Sequence, residues 1–179
     1  MCTGNICRSP MAEALLRDRL LRAGLAREVI VRSAGVLESG RPAAWQAMDA
    51  LAPRRLSLDE HRSTRLTHHL VEDVDLIVGM ERGHVRAVVV ADPDAWPRTF
   101  TLKELLRRGS AIGARAADQP LEEWLAKVGA GRSKGDLAGE SWLDDIPDPV
   151  GGDPEVFEAL ANELDDLLAQ LAQLLWGVT

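Results

Sequence analysis

The residues best suited to chemistry lie in one short run, Cys2-Thr3-Gly4-Asn5-Ile6-Cys7-Arg8-Ser9-Pro10. A cysteine, five residues and then an arginine can wrap a single tetrahedral oxyanion. In such a loop successive backbone N–H groups point inward and form an anion nest. The helix that follows adds the partial positive charge of its N-terminus. Gly4 and Asn5 are residue types that tolerate the left-handed conformations a tight nest requires. The planar fork of Arg8 can grip two phosphate oxygens. The same positive field favours a thiolate at Cys2, the nucleophilic form. Thr3, Gly4, Asn5, Ile6, Cys7 and Ser9 make up the expected phosphate-binding set, with Ser9 also able to donate its hydroxyl to the thiolate. An arbitrary match to this spacing is more often a buried small cysteine and a surface arginine. Here Gly, Asn, Ser and Pro all fall where the nest and a helix start need them.

A thiolate that attacks a phosphate monoester must expel an alkoxide or phenoxide, and a positioned acid makes that easier. The stretch Asp144-Asp145-Ile146-Pro147-Asp148-Pro149-Val150-Gly151-Gly152 carries one. Asp148 stands between two prolines that hold it extended. Asp92-Pro93 and Asp153-Pro154 rival it on composition, but Asp153 is better explained as the cap of the last helix.

These groups need a scaffold. Ser9 as N-cap and Pro10 at the first helical position predict a helix start. Apolar residues at helical spacing then continue it through Leu21, with Gly24 as the stop. Glu28 to Ala34 reads as a strand and Pro42 to Leu51 as a helix. Val74 to Met80 suits a buried parallel strand, followed by a helix over Glu81 to Ala91. Arg98 to Leu102 is a candidate edge strand leading into a short helix through Leu106. The segment from about 108 to 140 reads as an insertion, mostly loop, with one helix near Leu121 to Val128. Asp153 to Trp176 is a long amphipathic helix, with Asp153 capping and Pro154 opening it. Alternating strands and helices imply a single α/β domain, a three-layer sandwich around a small parallel sheet.

Composition narrows the partners. A net charge of −7 argues against a nucleic-acid binder. No apolar stretch approaches the ~18 residues of a membrane helix. Two cysteines are too few for a disulfide scaffold, and nothing looks like a secretion signal, so a reducing, cytoplasmic setting is expected. His61, His68, His69 and His84 form no spaced ligand set with the cysteines or carboxylates, so neither a metal nor another cofactor is expected.

These residues resemble the low-molecular-weight protein-tyrosine phosphatase family. The nucleophile loop matches almost letter for letter through Met11-Ala12-Glu13. Ser33-Ala34-Gly35, His61-Arg62, the apolar strand ending at Met80 and Asp148-Pro149 match further family motifs. The resemblance implies hydrolysis of protein phosphotyrosine through a phosphocysteine, with Cys2 as nucleophile, Arg8 as clamp and Asp148 as proton donor. It implies that Asn5 and Ser33 hold the left-handed turn, and that Cys7 can form a disulfide with Cys2 and protect it from irreversible oxidation.

The chain also departs from the family. The family sets an apolar strand directly before the nucleophile. This chain starts at Met1, so that strand is expected to be missing and the true start to lie upstream. Val150 stands where many members carry a pocket aromatic, and Trp45 is expected to serve core or interface packing. Arsenate reduction needs relay cysteines further along the chain, and the absence of any after Cys7 argues against it. Protein-arginine phosphatases tend to carry Thr at the position of Ile6, which favours phosphotyrosine, while Val150 and the paired glycines keep the arginine reading open. A catalytically weak phosphate-binding regulatory module is the alternative of another class.

Overall fold

Seven α-helices surround a short parallel sheet among the described residues, 1–178 of a computed structural model. In chain order they are α1 (Arg8–Arg22), α2 (Trp45–Leu51), α3 (His68–Glu72), β1 (Ile77–Gly79), α4 (Arg82–Ala91), β2 (Thr99–Thr101), α5 (Leu102–Ile112), α6 (Leu121–Val128) and α7 (Pro154–Trp176). β1 and β2 pair in parallel, with Val78 opposite Phe100. Alternation of side chains across the strands then gives each face its own core. Ile77 packs with Val71, Val88 and Ala95, beneath α3 and α4. Phe100 packs with Leu105, Trp124, Leu164 and Leu168, so α1, α2, α5, α6 and α7 cover the other face. This is the expected three-layer α/β/α sandwich.

Two further segments extend the parallel order. Met1 pairs with the end of β1: its ammonium donates to Val78 O, and Met80 N donates to Met1 O at 3.0 Å. On its other side Cys2 N donates to Ala34 O at 3.2 Å, and Gly35 forms parallel bridges with both Cys2 and Arg65. The loop that begins at Cys2 therefore leaves from the carboxyl edge of the sheet, where open α/β sheets hold ligands.

Several sequence expectations need correction. Glu28–Ala34 is not a strand. Only Ala34 O meets a strand-like partner, Val31 O is taken by the Arg17 guanidinium at 2.6 Å, and Ile30 is exposed. Local β-propensity forms no strand without a ladder beside it. α5 runs on to Ile112 instead of stopping near Leu106, because its apolar face stays buried through Gly109. That glycine is required by packing: a β-carbon there would lie 2.9 Å from the Trp124 ring. α6 is accordingly part of the core, with Trp124, Leu125 and Val128 all buried. Pro42–Ala44 lie outside α2, and Asp153 holds the N-cap position of α7 without a side-chain cap bond.

Candidate active site

Residues Cys2 to Cys7 form a tight loop between the sheet edge and α1, and Arg8 is the first residue of that helix. Ser9 is therefore not the cap. It is the second helical residue, and its hydroxyl lies 3.0 Å from Cys2 Sγ. Ser9 Oγ also accepts a hydrogen bond from Asn5 Nδ2 at 2.9 Å. Its own hydrogen is thus free to go to a Cys2 thiolate. Pro10, third in the helix, gives up an N–H that had no intrahelical acceptor.

Asn5 is the keystone of the loop. Its φ of 51° is left-handed, a conformation that Asn adopts more readily than most residues. Every polar group of its side chain has a partner. Nδ2 donates to Ser9 and, at 2.8 Å, to Ser33 Oγ, and Oδ1 accepts from Thr64 N at 2.8 Å. Its carbonyl accepts from His61 Nε2 at 2.7 Å. Thr3 O accepts from Val36 N and Leu37 N, and Ile6 O accepts from Ala44 N, so each turn of the loop is tied to a different segment. Gly35 lies so close below that a β-carbon there would sit 2.7 Å from Thr3 O and 2.9 Å from Asn5 N. On the outer side, a β-carbon at Gly4 would be 3.4 Å from Ile6 Cγ1 and 4.0 Å from a guanidinium nitrogen of Arg41.

Arg8 is 1% exposed and bridges two carboxylates. One terminal nitrogen donates to Glu81 and, at 2.8 Å, to Ile146 O; the other donates to Asp148 Oδ2 at 2.7 Å. Its Nε is buried with no acceptor among the described residues. Asp148, whose side chain is 42% exposed, also accepts from Val150 N through Oδ1. The segment that carries it is well anchored. Ile146 N donates to Met80 O at 2.7 Å, and Asp145 accepts from Arg82 N and Ser141 N. Asp144 sits between Arg82 and Arg107 at 2.8 Å each. Burial alone would raise its pKa, but the hydrogen bonds from Arg107 and Arg82 outweigh that and hold it below the usual carboxylate range.

Burial first, and then the charge of neighbouring Cys2 and Asp148, push the Cys7 thiol up to about 11. Cys7 therefore remains a neutral thiol at physiological pH.

The structure thus brings together Cys2, Thr3, Gly4, Asn5, Ile6, Cys7, Arg8, Ser9, Ser33 and Asp148, all anticipated from the sequence. Asp92 is elsewhere, accepting from Asp94 N in the turn before β2. Trp45, expected in core or interface packing, is 61% exposed at the start of α2. Glu81, His61 and the Ile146 carbonyl were not anticipated as parts of the site. A signal for Glu81 was available: it is a polar residue just past a buried parallel strand, where sheet ligands are held.

A cysteine-centred oxyanion loop at a parallel sheet edge, with an arginine and a carboxylic acid facing it, defines a phosphatase of the small α/β type. The chain matches the family described as low molecular weight phosphotyrosine protein phosphatase over residues 1–122, and it belongs to that family. It is 33% identical over 176 residues to a protein-arginine-phosphatase of Bacillus subtilis, covering 98% of this chain and 93% of that one. It is 38% identical over 109 residues to the Escherichia coli low molecular weight protein-tyrosine-phosphatase Etp, covering 60% of this chain and 70% of that one. Among solved structures, a YwlE mutant from Bacillus subtilis superposes with a TM-score of 0.71 at 31% identity, covering 96% and 93% of the two chains. A low molecular weight protein tyrosine phosphatase from T. tengcongensis gives 0.72 at 27% identity, covering 96% and 94%.

Proposed function

We propose that the protein hydrolyses phosphotyrosine in protein substrates through a phosphocysteine intermediate, without a metal. The observation that carries this reading is the convergence on one loop of a serine-supported Cys2, the buried Arg8 and Asp148. A bound phosphoryl group supplies the acceptor that Arg8 Nε lacks and meets the nest N–H groups. Cys2 Sγ attacks phosphorus, and the bond from phosphorus to the tyrosyl oxygen breaks. Asp148, displaced from Arg8 by the phosphoryl group and carrying a proton taken up from water, gives that proton to the departing oxygen. Asp148 then takes a proton from the water that attacks phosphorus, the sulfur–phosphorus bond breaks, inorganic phosphate leaves, and the Ser9 hydroxyl donates a hydrogen bond to the returning Cys2 thiolate.

Ile6 favours tyrosine as the phosphorylated residue. Its apolar side chain lies beside Gly4, and its carbonyl holds Ala44, next to the exposed Trp45. Val150, also exposed, follows the acid loop. These apolar surfaces suit an aromatic ring better than a charged guanidinium. Hydrolysis of protein phosphoarginine is the second reading, favoured by the near full-length similarity to the Bacillus subtilis protein-arginine-phosphatase.

The test is phosphate release from matched phosphotyrosine and phosphoarginine peptides, with excess reductant, a chelator and a Cys2→Ser control. Turnover of the tyrosine peptide that vanishes in the control supports the proposal. Preference for the arginine peptide replaces the substrate and keeps the mechanism. Phosphate binding without turnover on either peptide leaves the chain a binding module.

A further inference from the structure

His84 is a buried side chain that the mechanism above does not use. It is the third residue of α4, and its ring is committed on both sides. Glu81 N donates to its Nδ1 at 3.1 Å, so Nδ1 carries no hydrogen. In the neutral ring the hydrogen is then on Nε2, which lies 3.0 Å from Thr3 Oγ1 and donates to it. The Glu81 side chain in turn accepts from His84 N, a reciprocal capping box. The start of α4 is also seated closely on β1, since a β-carbon at Gly79 would fall 3.1 Å from His84 Cβ.

From this geometry we infer that His84 is a positioning residue that ties the phosphate loop, at Thr3, to Glu81, the carboxylate that holds Arg8. Its role rests on the reading that the loop binds a phosphoryl group. The anion site has two halves. The nest is carried by the loop, and the clamp is Arg8, oriented by Glu81. Thr3 O is held on one side by Val36 N and Leu37 N, and the Thr3 hydroxyl is held on the other by His84. One imidazole in a single tautomer therefore sets the distance between nest and clamp without touching substrate. A second hydrogen, on Nδ1, would face the Glu81 N–H and break the arrangement. Consistently, burial, with the nearby N-terminus and Arg8 adding to it, pushes the His84 pKa down to about 3.

The test uses the full chain and inorganic phosphate, read both as a calorimetric Kd and as a competitive inhibition constant. A Gln at position 84 can still accept from Glu81 N as a capping-box residue but is the wrong shape to reach Thr3. His84→Gln and Thr3→Val should each weaken phosphate binding by about three- to tenfold, the worth of one hydrogen bond. Thr3→Ser should recover most of what Thr3→Val loses, at an equal unfolding temperature. The double variant His84→Gln/Thr3→Val should be no weaker than either single, because one contact cannot be lost twice. Losses that add, or a Thr3→Val protein that binds phosphate like the parent, would overturn the inference. A parent protein that binds phosphate while its variants are unchanged sinks this inference alone. A parent that binds none sinks the proposed function with it.

Discussion

Arg8 and Asp148 form an ion pair at 2.7 Å, so the proposed clamp and the proposed acid are partners before any phosphate arrives. A phosphoryl dianion competes with Asp148 for the same guanidinium face. In the proposed mechanism, substrate binding draws Arg8 toward phosphate and leaves the Asp148 carboxylate, already partly exposed, to take up a proton and turn to the leaving group. Glu81 and Ile146 O keep the other terminal nitrogen fixed meanwhile.

Asp148→Asn removes the proton and should slow phenyl phosphate by ~10²–10⁴-fold, but slow an activated aryl phosphate such as p-nitrophenyl phosphate much less. Steady-state kcat on the two esters is the measurement. Equal slowing would count against Asp148 as the acid.

Arg8→Lys keeps the charge but loses the fork that serves Glu81, Ile146 O and Asp148 together. It should reduce kcat/KM by about a hundredfold or more, roughly the loss of two charge-assisted hydrogen bonds. A variant within twofold of the parent would mean that a point charge suffices.

Gly35→Ala places a methyl carbon 2.7 Å from Thr3 O and 2.9 Å from both N and Cβ of Asn5, none of which can swing aside. Overpacking of this kind costs ~1–3 kcal/mol. The strain falls on the loop, so activity should drop more steeply than the urea midpoint. A variant with full kcat/KM would show that the loop can shift without penalty.

Cys7, at about 11, leaves fewer than about one molecule in a thousand with a Cys7 thiolate at pH 7.5. Iodoacetamide at that pH should label Cys2 and spare Cys7, with phosphate protecting Cys2, as peptide mapping would show. Early label on Cys7 would contradict its buried, neutral state.

His84 links acidity to stability. Its pKa falls from 6.5 to about 3 on folding, so the unfolded chain binds the extra proton over that window. The stabilisation tied to its neutral form is complete above pH 6.5 and is lost as pH falls toward 3. The stability gap between the parent and His84→Gln should therefore narrow from pH 7 to pH 4, measured by urea unfolding. A constant gap would contradict the linkage.

The phosphate loop was legible because its chemistry is local. Cys2 through Pro10 carry nucleophile, nest and helix start in consecutive positions. Asp148 was legible because its flanking prolines mark it. Glu81 was marked only by its place just past a buried parallel strand and His61 only by a motif that names no role, because what makes them part of the site is distance across the fold. Ser9 has the residue type of a cap, yet its hydroxyl is taken by Asn5 and Cys2 while the helix begins one residue earlier. Glu28–Ala34 has strand-like residues but no ladder, and Gly109, a residue type that breaks helices by propensity, is held in α5 by contact with Trp124. In each case tertiary surroundings overrode a local preference.

The hydrogen bonds that shape Asn5 join it to Ser33, His61 and Thr64, at separations of 28, 56 and 59 residues, and those that Arg8 donates go to Glu81, Ile146 and Asp148, at 73, 138 and 140. Helices α1 and α7 can form from local signals, but contacts this distant close late, once the loop entropy has been met. On refolding, helical signal should return before phosphate binding does. A chain with its helices formed and its loop unset is a compact protein with an inert thiol, so recovered activity reports the completion of folding, not its onset.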